Sequence, residues 1–273
     1  MIDVLFRQPL LVALVIFGAL TASFIGMTLL GMRIGRGFQG EDGKTVMGTG
    51  AIDGAVFALF GLLIAFTFYG AAERFQVRKL FILEEAKAIS TAWSRLDLLP
   101  EPDRARLREL FRDYLDRRLT AYGKSRDLST FQRHLAGAEE VGQEILTTSA
   151  AACRAESGQP FAEVIMPAVN AMSDIALTRK AAIRAHPPAA IYGLLFGVSL
   201  AATFLIGLAM SPSKRKSWIH IAGFSALVAA TLYVTADLEM PRMGLIRVAK
   251  ADALLREVRA SMGSVNVPTR LEP

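Results

Sequence analysis

The chain has 273 residues, 52% of them hydrophobic and 21% charged, with a formal net charge of +6 and a mean hydropathy of +0.37. Its one cysteine, Cys153, excludes an intramolecular disulfide and any cysteine-based metal cluster. The positive balance does not point to nucleic acid, because the basic residues flank apolar segments, where anionic headgroups and insertion asymmetry account for them.

Four apolar stretches dominate the pattern: Leu10 to Met32, Gly54 to Ala72, Ala189 to Met210 and Ser217 to Ala236. A helix needs about 20 mostly apolar residues to cross the hydrocarbon core, and each stretch meets that length. The first is longer than the apolar core of a signal peptide, and Gly31-Met32-Arg33 lacks a small-residue cleavage pattern, so a membrane helix is expected there. Four crossings place both termini and the long charged segment, Glu73 to Arg184, on one side of the membrane. Within 15 residues of membrane ends that side carries 11 Lys and Arg against 6 on the other. Discounting the long segment leaves 4 against 6. The reading adopted is cytoplasmic termini in a multi-pass inner-membrane protein, supported by a thiol and many Arg–Asp/Glu pairs suited to a reducing compartment.

No part of the charged segment alternates like a strand. The second membrane helix is expected to run on past Glu73 through Ile82, Ile89 and Trp93, and to stop near Leu99-Pro100-Glu101-Pro102. Leu107, Leu110, Phe111, Tyr114, Leu115, Leu119 and Tyr122 then mark one face of a helix ending at Gly123, with Asp113 and Arg117 paired four apart outside. Another begins near Ser129 or Thr130 and carries Leu135, Ala138, Val141, Ile145 and Leu146 on its apolar face. After the turn at Ser157-Gly158-Gln159-Pro160 comes a helix through Val164, Val169, Met172 and Ile175, with a bend expected at Pro167. His186-Pro187-Pro188 leads into the third membrane helix. Beyond the fourth, Leu254, Leu255 and Val258 predict a short amphipathic helix on the same bundle, and the tail from Gly263 reads as loose. The expected organisation is therefore 1–72, first membrane helix pair; 73–188, helical cytosolic segment; 189–236, second pair; 237–273, C-terminal cytosolic segment.

Small residues recur every four positions at Gly18, Ala22 and Gly26, at Gly54 and Ala58, at Gly193, Gly197 and Ala201, and at Ala222, Ala226 and Ala230. Such stripes let helix backbones approach closely, within one chain or between copies. The second membrane helix is dense in aromatics, and Phe57, Gly61, Ile64 and Phe68 share one face, with Phe60 beside it. Around an axis that face makes an apolar constriction able to gate by dewetting; packed otherwise, it serves as lipid contact or bundle core. Asp53, Asp237, Glu239 and Arg242 sit at membrane boundaries, where a structural clamp and a part in ion passage are both open; Glu239 has Arg242 and Arg74 as possible partners.

Several apparent sites dissolve on inspection. Gly37 to Thr45 imitates a phosphate loop, but its first glycine is misplaced by one and no strand precedes it. His134, His186 and His220 are too scattered for a zinc site. Glu84, Glu85, Glu139, Glu140 and Glu144 lack the Glu-x-x-His pairs of a di-iron bundle. No catalytic set is present, so the chain reads as no enzyme, with no metal and no cofactor.

Leu63-Ile64-Ala65-Phe66-Thr67-Phe68, Ala72-Glu73-Arg74-Phe75 with Arg78-Lys79, Glu84 to Ala92, Leu98-Leu99-Pro100, the run Arg108 to Arg118, and Asp237 to Val248 together resemble the bestrophin-like domain family of bacterial membrane proteins. The likeness covers nearly the whole chain. More remotely it extends to bestrophins, pentameric anion channels with four membrane segments, cytoplasmic termini and a helical portion between the second and third segments. The resemblance implies an all-α integral membrane protein of that bestrophin-like form. It further implies a homo-oligomer, a pentamer by analogy, set in membrane lipid and passing small anions such as chloride. Phe57, Phe60, Gly61, Ile64 and Phe68 would then line an apolar neck, and Arg74, Arg78 and Lys79 would gather anions at the cytosolic mouth. The bestrophin calcium clasp has no counterpart in the sequence, and Gly61 departs from a uniformly bulky neck. The reading from another class is a membrane scaffold or sensor whose helical segment docks a partner without an open pore. A coupled transporter would want broken membrane helices or a mid-bilayer acid, and neither is evident.

Overall fold

The computed structural model describes residues 9–37, 50–124, 128–211, 217–240, 245–246 and 252–263. Among them every regular element is helical: α1 Pro9–Gly37, α2 Gly50–Arg95, α3 Asp103–Lys124, α4 Leu128–Arg154, α5 Ala162–Arg184, α6 Ala189–Ala209, α7 Trp218–Glu239 and α8 Asp252–Ser261, with 3-10 turns at Leu96–Leu98 and Gln159–Phe161. Four of the helices are long and apolar enough to cross a membrane. The glycine-rich stretch beyond Gly37 lies outside the described residues.

The second helix is the longest because nothing interrupts it. Between Gly50 and Arg95 there is no proline, and the helix passes from the charge-free run into Glu73 and Arg74 without a break. At about 1.5 Å per residue its 46 residues span roughly 69 Å, more than twice a hydrocarbon core, so only its first half fits within a bilayer. It ends in a 3-10 turn before Pro100, as the proline-rich sequence there predicts. Pro167 is accommodated inside α5 rather than ending it.

The chain divides into two compact units, Met1–Phe75 with His186–Ile246, and Gln76–Ala185 with Arg247–Pro273. The first holds the membrane helices α1, α6, α7 and the apolar half of α2. Its core is built from Phe24, Phe60, Leu195, Ala202, Val228, Ala229 and Leu232, with Phe17, Phe57, Leu63 and Ile64 packed on its margin. Several hydroxyls in these helices are satisfied locally: Thr28 donates to the Phe24 carbonyl at 2.9 Å, Thr67 to Leu63 at 2.7 Å and Ser199 to Leu195 at 2.7 Å. That i−4 bonding lets a polar side chain reside where no water is available.

The tight crossing in this unit is between α1 and α6, at glycines outside the four-residue stripes. A Cβ added at Gly207 would lie 2.1 Å from the Thr28 carbonyl oxygen, and one at Gly31 would lie 2.2 Å from that of Phe204. A Cβ at Gly35 would lie 2.6 Å from the Ser211 side chain. Gly18, Gly26, Gly54, Gly193 and Gly197 instead face open space, with nothing within 4 Å. Within the chain, small residues bring backbones together at Gly31, Gly35 and Gly207.

In the second unit most of the expected apolar faces are buried: Leu107, Leu110, Phe111, Tyr114 and Leu115 of α3, Leu135, Ala138, Val141 and Ile145 of α4, and Val169 and Met172 of α5, where Ile165 is buried and the expected Val164 is 40% exposed. Ile82 and Ile89 of α2 are buried as well. The short α8 docks on α3 through buried Leu255 and Met262, with Arg112 donating to the Met262 carbonyl and Arg259 gripping Asp116 through two bonds of 2.8 Å. Ten residues are too few to hold a helix alone in water, so this docking is what orders it. Cys153 is buried, and burial pushes its thiol up from the ordinary value. Its reaction with a maleimide is expected to be at least about tenfold slower in the native protein than after denaturation; equal rates would show the bundle open at α4.

Candidate functional site

On a 3.6-residue period Phe60, Thr67, Ala71 and Arg74 fall on one side of α2. Phe60 and Ala71 on that side are buried within the first unit. The five apolar residues expected to line a neck therefore do not share one environment. Phe60, beside the expected face, is 7% exposed and lies in the chain's own core. Phe57 and Ile64 pack against the edge of that core. Gly61 faces open space and Phe68 is 42% exposed. The widest open arc of the helix carries Leu59, Leu62, Phe66 and Tyr69, the last two each 66% exposed. The sequence shows that this helix is rich in aromatics. Which side of it stays open depends on where Phe24, Leu195 and Val228 pack, and no local pattern reports that.

The boundary charges resolve into two arrangements at the end of α7. Glu239, almost fully buried, accepts from Arg74 of α2 at 2.7 Å through Nε and 2.6 Å through the terminal nitrogen, both on one carboxylate oxygen. Its other oxygen lies 3.8 Å from His186 Nδ1. Asp237, also buried, accepts from the Tyr233 hydroxyl at 3.0 Å and from the backbone N–H groups of Leu245 and Ile246 at 2.9 and 2.8 Å. That carboxylate holds the chain leaving α7, and two residues at a helix C-terminus where the dipole disfavours anions are stable only because each is bonded in this way. Asp53 lies in the first turn of α2, where the dipole favours an acid. Arg242 lies outside the described residues.

The basic residues expected at a mouth separate in character. Lys79 is exposed, with Gln76 at 3.4 Å. Arg78 is buried in the second unit and donates to the carbonyls of Ala182 and Ala185, at 3.2 and 2.9 Å. It caps the last turn of α5, where every helix end presents unsatisfied carbonyls.

A second charged centre was not anticipated by the sequence reading. Glu85 of α2 is fully buried, and each of its carboxylate oxygens takes a guanidinium: Arg118 of α3 on one, Arg179 of α5 on the other. Burial would raise its carboxyl, but the two guanidinium charges and their hydrogen bonds outweigh that and hold it below the ordinary value. The signal lay in the periodicity. Glu85 falls between Ile82 and Ile89, Arg118 four after Tyr114, and Arg179 seven after Met172, each on its helix's apolar stripe. The other acids considered for a carboxylate cage are occupied at the surface, Glu139 by Lys180 and Glu144 by Arg106. Among the described residues no group of His, Cys, Asp and Glu could hold a metal.

A protein-family model of the bestrophin-like domain matches residues 17–253. Among solved structures, the crystal structure of a tyrosine-to-alanine variant of a bacterial bestrophin homolog from Klebsiella pneumoniae has the same fold. Its TM-score is 0.65 at 11% identity, over 90% of this chain and 98% of that one. No curated protein matches the sequence. The four apolar helices, the helical bundle placed between the second and third, and the family match across most of the length agree: this chain belongs to the bestrophin-like domain family.

Proposed function

We propose that the protein is an oligomeric channel that passes small anions such as chloride down their gradient, through an apolar neck lined by the membrane half of α2. The observation that carries this reading is the one-sided anchoring of that helix. Phe60 and Ala71 fix one side in the chain's core, while Leu59, Leu62, Phe66, Phe68 and Tyr69 remain exposed. So large an apolar face must be covered, by lipid or by other copies of the chain. Copies arranged about an axis, five by analogy with bestrophins, would turn the flank bearing Phe57, Gly61, Ile64 and Phe68 toward a common path. Ring edges carry partial positive charge and suit an anion, and narrowing of an apolar ring gates by dewetting.

With both termini cytoplasmic in an inner membrane, Lys79 and the partly exposed Arg74 stand where they would raise the local anion concentration. The reading needs no cofactor and no metal. The test is chloride efflux from liposomes containing Phe57→Ala or Phe68→Ala protein. A wider, more easily wetted neck predicts a severalfold rise over wild type at equal amounts of inserted protein. Identical efflux from both variants and wild type would remove this flank of α2 from the path.

A further inference from the structure

We infer that Glu73 restrains anion entry where α2 leaves the membrane, and so sets how strongly the path prefers anions to cations. The inference rests on the channel reading and assigns its ion preference to a residue. The apolar run of α2 carries no charge from Gly54 to Ala72, and Glu73 is the first charge met on leaving it. Its side chain is exposed. On a helix surface a residue meets those three and four positions away. For Glu73 these are Tyr69, Gly70, Gln76 and Val77, none of them a cation. Among the described residues no lysine, arginine or histidine forms an ion pair with it. Arg74, the next residue, lies on the anchored side of the helix and is bound to Glu239 at 2.6 and 2.7 Å. Glu73 therefore presents its charge to water uncompensated by any neighbour on its helix.

The flank of α2 bearing Phe57, Gly61, Ile64 and Phe68 is uncharged, so discrimination by charge falls to groups at its ends. Glu73 continues the open arc of Leu59, Leu62, Phe66 and Tyr69 rather than that flank, and it acts through space. An α-helix with its side chains is about 10–12 Å across, so a path lined by this turn runs within about one helix diameter of the carboxylate. The Debye length is about 8–10 Å at 0.1–0.15 M salt, and low-dielectric walls focus the field further. Copies about an axis repeat the charge in every subunit, and their fields add at the mouth. The carboxylates deplete anions there and enrich cations, against the opposite pull of exposed Lys79. Ion preference is the balance of the two, and Glu73 is the acid in it.

The test is the zero-current potential of the full-length protein in planar bilayers across a KCl gradient, for wild type, Glu73→Gln and Glu73→Lys. The side chain is exposed and unpaired on its helix, so both variants should fold as wild type does. At about 0.1 M salt Glu73→Gln is expected to raise the chloride-to-potassium permeability ratio by about two- to fivefold, and Glu73→Lys to raise it further. At about 1 M salt, where the Debye length falls to about 3 Å, the differences should shrink toward none. Ratios equal to wild type in both variants at low salt, or a rise of the same size at both salt concentrations, overturn the role of Glu73 and leave the channel reading standing. Absence of current from every protein, wild type included, overturns the channel reading and this role with it.

Discussion

Replacing Glu85 with alanine is expected to destabilise the helical bundle by about 3–5 kcal/mol, the cost of removing one partner from a buried ion pair. The side chain is wholly buried and serves Arg118 and Arg179 at once, so the substitution takes from two buried guanidiniums the carboxylate both are bonded to. The same change at Asp113, whose pair with Arg117 is about half exposed, should cost no more than about 0.5 kcal/mol. Thermal unfolding followed by exposure of Cys153 to a maleimide reads both variants with one native reporter. A Glu85→Ala protein as stable as wild type would contradict the burial and pairing described.

The same centre predicts an acid limb. Because Glu85 is held below the ordinary carboxylate value in the folded bundle, its stabilising contribution is complete above that ordinary value and is lost as pH falls through the lower folded one. Glu85→Gln should therefore flatten the dependence of bundle stability on pH below the ordinary carboxylate range while lowering stability at neutral pH.

The second large effect belongs to the membrane unit. Gly207→Ala places a methyl group 2.1 Å from the Thr28 carbonyl oxygen and 3.0 Å from the Met32 nitrogen, both backbone atoms that no rotamer change can move. Helices α1 and α6 must separate, at an expected cost of about 3 kcal/mol. Gly197→Ala on the same helix meets nothing within 4 Å and should be neutral or slightly stabilising, since alanine is the better helix former. Midpoints of thermal aggregation in detergent compare the two directly. Equal midpoints would show that the crossing is not where the structure puts it.

Much of this architecture is legible in the sequence because membrane helices and amphipathic stripes are local patterns. The ends of α2 at Leu99-Pro100, of α3 near Gly123 and of α8 around Leu255 follow from proline, glycine and periodicity. The contacts are harder to read. The spacing of Gly193, Gly197 and Ala201 is as regular as any, yet the backbones meet at Gly207 and Gly31, because a crossing point is a property of two helices and not of one. Phe60 looked like its aromatic neighbours until Phe24 and Leu195 were found around it. Arg78 looked like a solvent charge until the carbonyls ending α5 gave it partners. Glu85, Arg118 and Arg179 were detectable as charges on apolar stripes, and that mismatch with the surrounding pattern was the available clue.

The most direct test of the channel reading is chloride efflux from liposomes containing the purified wild-type protein, against protein-free liposomes. The account predicts efflux well above the protein-free level, carried by an assembly of several copies. Efflux at the protein-free level, from protein shown by its Cys153 protection to be folded and by protease to be inserted, would contradict it and leave a membrane scaffold or sensor as the better reading.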